Sequence, residues 1–392
     1  MVEFEWERLS RRPDIEADNL FAADAADRLI LDTAADAVAG CAPRDVVIIG
    51  DAYGALTLAT GAVLRAGTND ARGGTGSVRA DGTIRVHQDP LVAERALEAN
   101  AAELGRPGSY RSMPLVPELV AGARVVLLRL PKSLDALDEI AALVAGHGHP
   151  EAVVFAGGMQ KHMTVAQNDV LGRFFERVDV GRARQKARVL TVRGPRADAA
   201  VEGAWPQRQF HADVAPGLWV CAHGGAFAGT RIDIGTRFLL SHLDEARPDA
   251  ATAVDLACGT GAIASLLALR RPGIRVIATD QSAVAAASAR ATAEANGVAD
   301  RIEVRREDSG EGVPAGFADL VLLNPPFHNG AALDLRVGRM LVAAAARLLA
   351  PGGELWTVYN SHLDYRPTLN RTVGPTRQVD RNTKFTVTVS VR

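Results

Sequence analysis

One order of signals occurs twice in this chain of 392 residues and limits the folds it can adopt: strand, glycine turn, helix, strand, helix, strand. In the C-terminal half, residues 251–269 carry the first strand, its turn and a helix. Residues 275–297 carry a strand ending in Asp280 and a second helix, and residues 319–327 carry another strand with its terminating turn. This alternation predicts a parallel, doubly wound α/β sheet.

The N-terminal half repeats the order in residues 45–60, 84–105 and 123–137. Gly54 aligns with Gly261 and Asp89 with Asp280, but Arg129 to Lys132 stand where Asn324 to Phe327 stand. We therefore expect two tandem Rossmann-like domains from a duplication, residues 1–190 and 191–392. The N-terminal copy lacks the catalytic signals of the C-terminal copy. We therefore expect it to be degenerate, with a structural or substrate-binding role.

Composition restricts the class of protein further. Hydrophobic residues make up 47% of the chain and charged residues 23%, which is typical of folded domains with cores of their own. Without an apolar segment of about 18 residues, we expect no membrane span and a cytoplasmic protein. The three cysteines form no CxxC pair and the histidines lack ligand spacing, so we expect no metal site.

A net charge of −2 gives no general support for nucleic-acid binding, which must then depend on local patches. Residues 173–196 form such a patch, with eight arginine and lysine side chains against Glu176 and Asp179. Arg184, Lys186 and Arg188 are the candidates for phosphate contacts. A solvated linker or a surface helix explains the same charges equally well.

A glycine turn follows the first C-terminal strand. Gly259 and Gly261 let the backbone turn sharply and approach a ligand, but with Ala264 and Asp280 they also satisfy the dinucleotide pattern GxGxxG/A. An NAD-dependent oxidoreductase therefore remains an alternative. Asp255 argues against it, because a carboxylate inside this strand needs a positive partner, such as the amino group of a sulfonium cofactor.

The sequence Asn-Pro-Pro-Phe at 324–327 directly follows an apolar strand. The carboxyl ends of parallel strands line a ligand crevice, and prolines fix the backbone, so Asn324, Pro325 and Pro326 would hold two carbonyl acceptors rigidly. Two acceptors suit a planar amino group whose ring stacks on Phe327. A proline turn with a packed phenylalanine is the structural alternative.

The run Asp-Leu-Ala-Cys-Gly-Thr-Gly at 255–261 resembles the first motif of the class I S-adenosylmethionine-dependent methyltransferases. The resemblance implies that the glycine turn holds the methionine and ribose part, that Asp280 accepts the ribose hydroxyls and that Asp308 accepts the adenine amino group. The cofactor-binding residues expected from it are Asp255, Ala257, Gly259, Gly261, Asp280, Gln281, Asp308, Ser309 and Asn324.

The longer run Asn-Pro-Pro-Phe-His-Asn-Gly at 324–330 is similar to the ribosomal-RNA guanine-N2 methyltransferases. That family has two tandem methyltransferase-like domains, of which only the C-terminal one is active, and residues 157–164 and 185–190 resemble its large-subunit (23S) branch. The resemblance implies S-adenosylmethionine as methyl donor and ribosomal RNA as partner. Phe327 and His328 would then contact the guanine, with His328 equally explained as a loop histidine.

Other functions remain open from the sequence. They are methylation of 16S ribosomal RNA, of adenine N6 or of a protein glutamine, NAD-dependent oxidation, and RNA binding without catalysis. The oligomeric state is not predicted.

Overall fold

The computed structural model describes residues 4–70, 82–199, 203–325 and 332–392. The chain divides into two compact units, Met1–Ala204 and Trp205–Arg392. Pro326, Phe327 and His328, which the sequence places at the site, lie outside the described residues. Among the described residues, no helix is long and apolar enough to cross a membrane.

The first unit is built on a seven-stranded sheet. Its strands are β1 (Val46–Ile49), β2 (Ile84–His87), β3 (Tyr110–Ser112), β4 (Val125–Arg129), β5 (Val153–Met159), β6 (Phe175–Val180) and β7 (Ala187–Pro195). Its helices are α1 (Ala25–Ala39), α2 (Ala55–Asp70), α3 (Leu91–Glu103), α4 (Pro117–Val120), α5 (Leu134–His147) and α6 (Val165–Phe174). Strand β1 is apolar and buried throughout, as expected for a parallel strand covered on both faces.

The second unit begins with a two-stranded sheet, β8 (Gln207–His211) and β9 (Leu218–Ala222), and continues into a second seven-stranded sheet. The strands of that sheet are β10 (Thr252–Leu256), β11 (Arg275–Asp280), β12 (Ile302–Arg306), β13 (Ala318–Leu323), β14 (Leu349–Asn360), β15 (Thr376–Arg381) and β16 (Phe385–Val391). The helices are α7 (Ile234–Leu240), α8 (Ala262–Arg270), α9 (Ala283–Ala295), α10 (Ala332–Leu348) and α11 (Arg366–Thr372).

Both large sheets have the same topology. The strand order is β3-β2-β1-β4-β5-β7-β6 in the first unit and β12-β11-β10-β13-β14-β16-β15 in the second. In each, the first five strands along the chain run parallel, and the last strand is inserted antiparallel beside the fifth. Apolar clusters cover both faces of each sheet. The predicted pair of doubly wound α/β domains is confirmed.

Strand register corrects one detail of the internal alignment. Ile49 pairs with His87, and Leu256 pairs with Thr279 at the equivalent place. The residue that follows Thr279 is Asp280, and the residue that follows His87 is Gln88. Gln88 therefore occupies the position of Asp280, and the expected match of Asp89 was wrong by one residue.

The basic segment at 173–196 is neither a linker nor a surface helix. Apart from the last residues of α6, it forms the antiparallel strands β6 and β7 and the turn between them, within the first sheet. The expected domain boundary at residue 190 consequently falls inside β7, and the first compact unit extends to Ala204.

Candidate active site

Predicted site residues from three neighbouring strands meet at the carboxyl edge of the second sheet. Leu256 in the middle strand β10 pairs with Thr279 of β11 on one side and with Leu323 of β13 on the other. The residues that follow these three are Ala257, Asp280 and Asn324. The parallel sheet thus brings together three of the predicted site residues, although they are far apart in the sequence.

Asp255 is buried one residue before the end of β10. Its side chain is 1% exposed, and its Oδ2 accepts a hydrogen bond from the Ala264 N–H at 3.0 Å. Its Oδ1 is buried and has no hydrogen-bond partner among the described residues. Burial raises the pKa of Asp255 to about 7, and the charge of Asp280 adds to that effect. Such an oxygen is suited to a cationic ligand group.

The glycine turn has the two properties that a ligand cradle needs. Gly259 has a φ of +54°, and a Cβ built there would meet nothing within 4 Å, so its outer face is open. Gly261 has a φ of +71° and begins α8, and a Cβ there would lie 2.8 Å from the Cβ of Ala289 in α9. Gly261 therefore permits close helix packing, while Gly259 leaves space above the turn.

Asp280 connects this turn to the next helix. Its Oδ2 accepts from the Gly259 N–H at 3.0 Å, and its Oδ1 accepts from the Ser282 N–H at 2.9 Å. Ser282 caps α9, accepting from the Ala285 N–H at 3.1 Å. The neighbouring Gln281 has a buried Oε1 without a partner among the described residues, which leaves a second acceptor at this edge.

Asp308 and Ser309 lie in the loop after β12, as expected. The Asp308 carboxylate is half-buried and accepts a hydrogen bond from the Ser309 hydroxyl at 2.8 Å. Ser309 has a φ of +50°, a conformation uncommon for a residue with a side chain.

Glu307 is a neighbour that sequence reasoning missed. Its N–H donates to the Asp280 carbonyl at 3.0 Å, and its carboxylate accepts from the Gly312 N–H at 3.0 Å. Burial raises the pKa of Glu307, and its Oε1 has no partner in the described part of the chain. Two adjacent acids, Glu307 and Asp308, thus stand where the sequence pointed to one.

Asn324 is held by a segment that comes much earlier in the chain. Its Nδ2 donates to the Thr236 hydroxyl at 2.9 Å and to the Asp233 carboxylate at 3.4 Å. Among the described residues, none donates a hydrogen bond to its Oδ1. Pro325 is buried beside it. Sequence reasoning gave no role to Asp233 or Thr236, although an aspartate directly before a helical run, here Ile234–Leu240, is a signal for a helix N-cap.

The predicted phosphate contacts are in the first unit. Arg184 and Lys186 are exposed in the turn between β6 and β7, and Arg184 lies 3.7 Å from the carboxylate of Asp32. Arg188 is half-buried in β7, and its Nε has no partner among the described residues.

The equivalent edge of the first sheet carries different chemistry. Strand register places Ile48 at the position of Asp255, Gln88 at that of Asp280 and Arg129 at that of Asn324. Gln88 donates its amide hydrogens to the carbonyls of Asp51 and Ala93, so the acid that accepts in the second unit is replaced by a donor. At these three matched positions, the first unit therefore has neither the two acids nor the asparagine of the second.

The second unit has the strand order, glycine turn and acidic strand ends of a class I S-adenosylmethionine-dependent methyltransferase. The family model of the methyltransferase small domain matches residues 217–389, and the family model of the RLMG N-terminal domain matches residues 2–196. The chain belongs to the ribosomal RNA large subunit methyltransferase G family, which confirms the resemblance seen in the sequence.

Individual relatives are similar in sequence to this chain over nearly its whole length. The ribosomal RNA large subunit methyltransferase G of Streptomyces coelicolor is 35% identical, covering 98% of this chain and 97% of the relative. That of Pseudomonas aeruginosa is 33% identical, with coverages of 97% and 96%. Among solved structures, the T. thermophilus 16S rRNA N2 guanine methyltransferase RsmC, in complex with AdoMet and guanosine, has a TM-score of 0.67 at 20% identity and covers 96% of this chain and 97% of its own.

Proposed function

We propose that the second unit transfers a methyl group from S-adenosylmethionine to the exocyclic N2 of a guanine in 23S ribosomal RNA. Membership of the large subunit methyltransferase G family supports large-subunit ribosomal RNA as the substrate and methyl transfer as the reaction. The observation that carries the chemistry is the Asn324 amide, whose nitrogen is bound by Thr236 and Asp233. Its oxygen is thereby kept as an acceptor at the end of β13, beside the glycine turn.

The residues of the site fit the cofactor. The unpartnered Oδ1 of Asp255 suits the cationic methionine end, the open face of Gly259 admits the ligand against the backbone, and Asp280 suits the ribose hydroxyls. Asp308 is assigned to the adenine amino group, and Gln281 and Ser309 are assigned to the cofactor pocket. When bound, S-adenosylmethionine supplies an electrophilic methyl group and leaves as the neutral thioether S-adenosylhomocysteine.

The protein's own contribution to the transfer is orientation. A guanine N2 has a delocalised lone pair, and acceptors for its two hydrogens direct that lone pair toward the methyl carbon. The Asn324 oxygen is one acceptor, and the backbone carbonyl that the prolines hold is assigned as the second. Methylated N2 then releases one proton to water, so that no strong base is required. Phe327 is assigned to stacking on the base and His328 to positioning it.

The first unit, with its altered strand ends, is assigned to RNA recognition rather than to catalysis. Arg184, Lys186 and Arg188 would contact phosphate, while the guanine must leave its stack to reach the site in the second unit. The proposed ribosomal RNA substrate supports a location in the cytoplasm.

The experiment that tests this function is a transfer assay with purified protein and S-adenosylmethionine labelled in the methyl group. We expect label in 23S RNA, recovered as N2-methylguanosine after digestion to nucleosides, and none in 16S RNA or in a glutamine-containing protein substrate. Asn324→Ala should reduce transfer to a small residual rate, while Gln378→Ala, an exposed amide in β15, should leave it unchanged. Label in 16S RNA, on adenine or in protein would contradict the proposed substrate and would identify a different one.

A calorimetric titration shows whether the protein uses S-adenosylmethionine or NAD. Binding of S-adenosylhomocysteine with no binding of NAD is expected, and binding of NAD alone would contradict the reaction.

A further inference from the structure

The orientation of the Asn324 amide is fixed from outside the Asn-Pro-Pro-Phe motif. An asparagine side chain carries an acceptor oxygen and a donor nitrogen of nearly equal size, and only its partners determine which one faces a substrate. Asp233 has an acceptor-only carboxylate when ionised, so the group that faces it at 3.4 Å must be the Asn324 nitrogen. The Thr236 hydroxyl binds the same nitrogen at 2.9 Å. A flipped amide would put its oxygen against that carboxylate.

Asp233 is itself firmly anchored. It caps helix α7, where its Oδ2 accepts from the Gly235 N–H at 2.9 Å and from the Thr236 N–H at 3.3 Å. Space around the cap is limited, because a Cβ on Gly235 would lie 3.1 Å from both Oδ2 of Asp233 and the ring of Phe385. Leu239 and Leu240 bury the other end of the helix. The carboxylate that meets Asn324 is therefore held by backbone donors and packing.

The first unit has the same pair of positions with another residue at the strand end. Asp24 caps helix α1 and forms a bidentate contact, 2.7 and 3.0 Å, with the guanidinium of Arg129, which occupies the position of Asn324. Arg129 also lies 3.1 Å from the Asp27 carboxylate. Both units thus connect a helix-capping aspartate to the residue at the end of the fourth strand. With arginine there, every polar atom is a donor, whereas asparagine keeps one acceptor.

We propose that Asp233 and Thr236 are positioning residues that hold Asn324 with its oxygen toward the amine to be methylated. The inference rests on the proposed function, since that amine is the guanine N2. Neither residue needs to touch the substrate. By binding the Asn324 nitrogen, they disfavour the flipped amide, in which the Asn324 NH2 group would face the NH2 group of the guanine. Their loss should therefore lower the rate of transfer and not the binding of ligands.

The variant Asp233→Ser tests the proposal, because serine is also a good helix cap but is too short to keep the contact with Asn324. We expect kcat to fall by about 10- to 100-fold, as for other losses of catalytic orientation. The KM for RNA and the Kd for S-adenosylhomocysteine should stay within about twofold of wild type, as is usual when only an orienting contact is lost. Thr236→Val should show the same pattern. Asp24→Ser is the matched control: it removes the contact with Arg129 in the other unit and should leave kcat unchanged.

A double-mutant cycle with Asn324→Ala shows whether the effect acts through that residue. If residual transfer is measurable, Asp233→Ser should cause no further loss in the Asn324→Ala background. An equal loss with and without Asn324, or an unchanged kcat in both single variants, would overturn the proposal.

A second readout does not depend on turnover. The side-chain NH2 signal of Asn324, assigned by its disappearance in Asn324→Ala, should shift in the NMR spectrum of Asp233→Ser and lose its protection from exchange. An unchanged signal would contradict the proposal. If wild-type protein methylates no RNA, the proposed function fails by itself, and this signal then decides the inference.

Discussion

Replacing the buried acid Asp255 with asparagine should stabilise the ligand-free protein at alkaline pH. Asparagine can keep the hydrogen bond from the Ala264 N–H, which the carboxylate accepts at 3.0 Å. It removes the ionisation of a side chain that is 1% exposed and has a second oxygen without a partner among the described residues. The variant therefore removes the free-energy cost of ionising this buried carboxyl group while keeping its hydrogen bond.

The magnitude follows from the pKa. Burial raises the pKa of Asp255 to about 7, compared with an ordinary value of about 3.9, and this difference corresponds to about 4 kcal/mol. Because the pKa is raised in the folded state, the associated stability is present below about pH 4 and is lost as the pH rises to about 7. At pH 5 only about 1.5 kcal/mol of it has been lost.

The variant has a cost of its own. Its buried NH2 group, which takes the position of an unpartnered oxygen, costs about 1–3 kcal/mol at every pH. Asp255→Asn should therefore be close to wild type, or slightly less stable, at pH 5 and more stable by about 1–3 kcal/mol at pH 8.

Scanning calorimetry of the ligand-free protein between pH 5 and pH 8 measures the effect. The Tm of the variant relative to wild type should rise by roughly 5–10 °C across that range, at about 3 °C per kcal/mol for a domain of this size. Asp300→Asn, at an exposed acid, should show no such trend. A Tm difference that does not change with pH would refute the assignment of a raised pKa to Asp255. The variant should also bind S-adenosylhomocysteine more weakly.

Three further substitutions give distinct results. Gly261→Ala should destabilise by about 1–3 kcal/mol in urea unfolding, because a Cβ would lie 2.8 Å from the Cβ of Ala289 and the φ is +71°; an unchanged midpoint would contradict close packing. Asp280→Asn should weaken S-adenosylhomocysteine binding about 10- to 100-fold by calorimetry, through loss of charged hydrogen bonds, and an unchanged Kd would exclude its ribose role. Arg129→Met should destabilise by about 3–5 kcal/mol, because it leaves two carboxylates without their cation. That loss should grow between pH 6 and pH 8, since the pKa of Asp27, already about 7 through burial, rises further without Arg129; a loss that shrinks with pH would contradict this.

The sequence was sufficient for the fold and for the edge where the site lies. Alternating strand and helix signals determine a parallel sheet, and a parallel sheet brings the residues after its strands to one edge. The places of Asp255, Gly259, Asp280 and Asn324 could therefore be predicted from the strand that each one belongs to or follows. The duplicated topology was also visible, because both halves keep the same order of signals.

Other features depend on contacts that periodicity does not encode. The contact of Asn324 with Thr236 joins residues 88 positions apart, through a helix cap whose target only the fold reveals. A shift of one residue between Gln88 and Asp89 changes no hydrophobic pattern, so only strand register could correct it. Basic residues in the turn between β6 and β7 were ambiguous for the same reason, because charge alone does not distinguish a hairpin from a helix.

We expect this protein to methylate N2 of a guanine in 23S ribosomal RNA. Mass spectrometric mapping of modified guanines, in ribosomal RNA from cells with and without the gene, tests it most directly. We predict that one N2-methylguanine disappears from 23S RNA in the deletion strain and returns with the wild-type gene but not with Asn324→Ala. An unchanged set of N2-methylguanines in 23S RNA would contradict the claim.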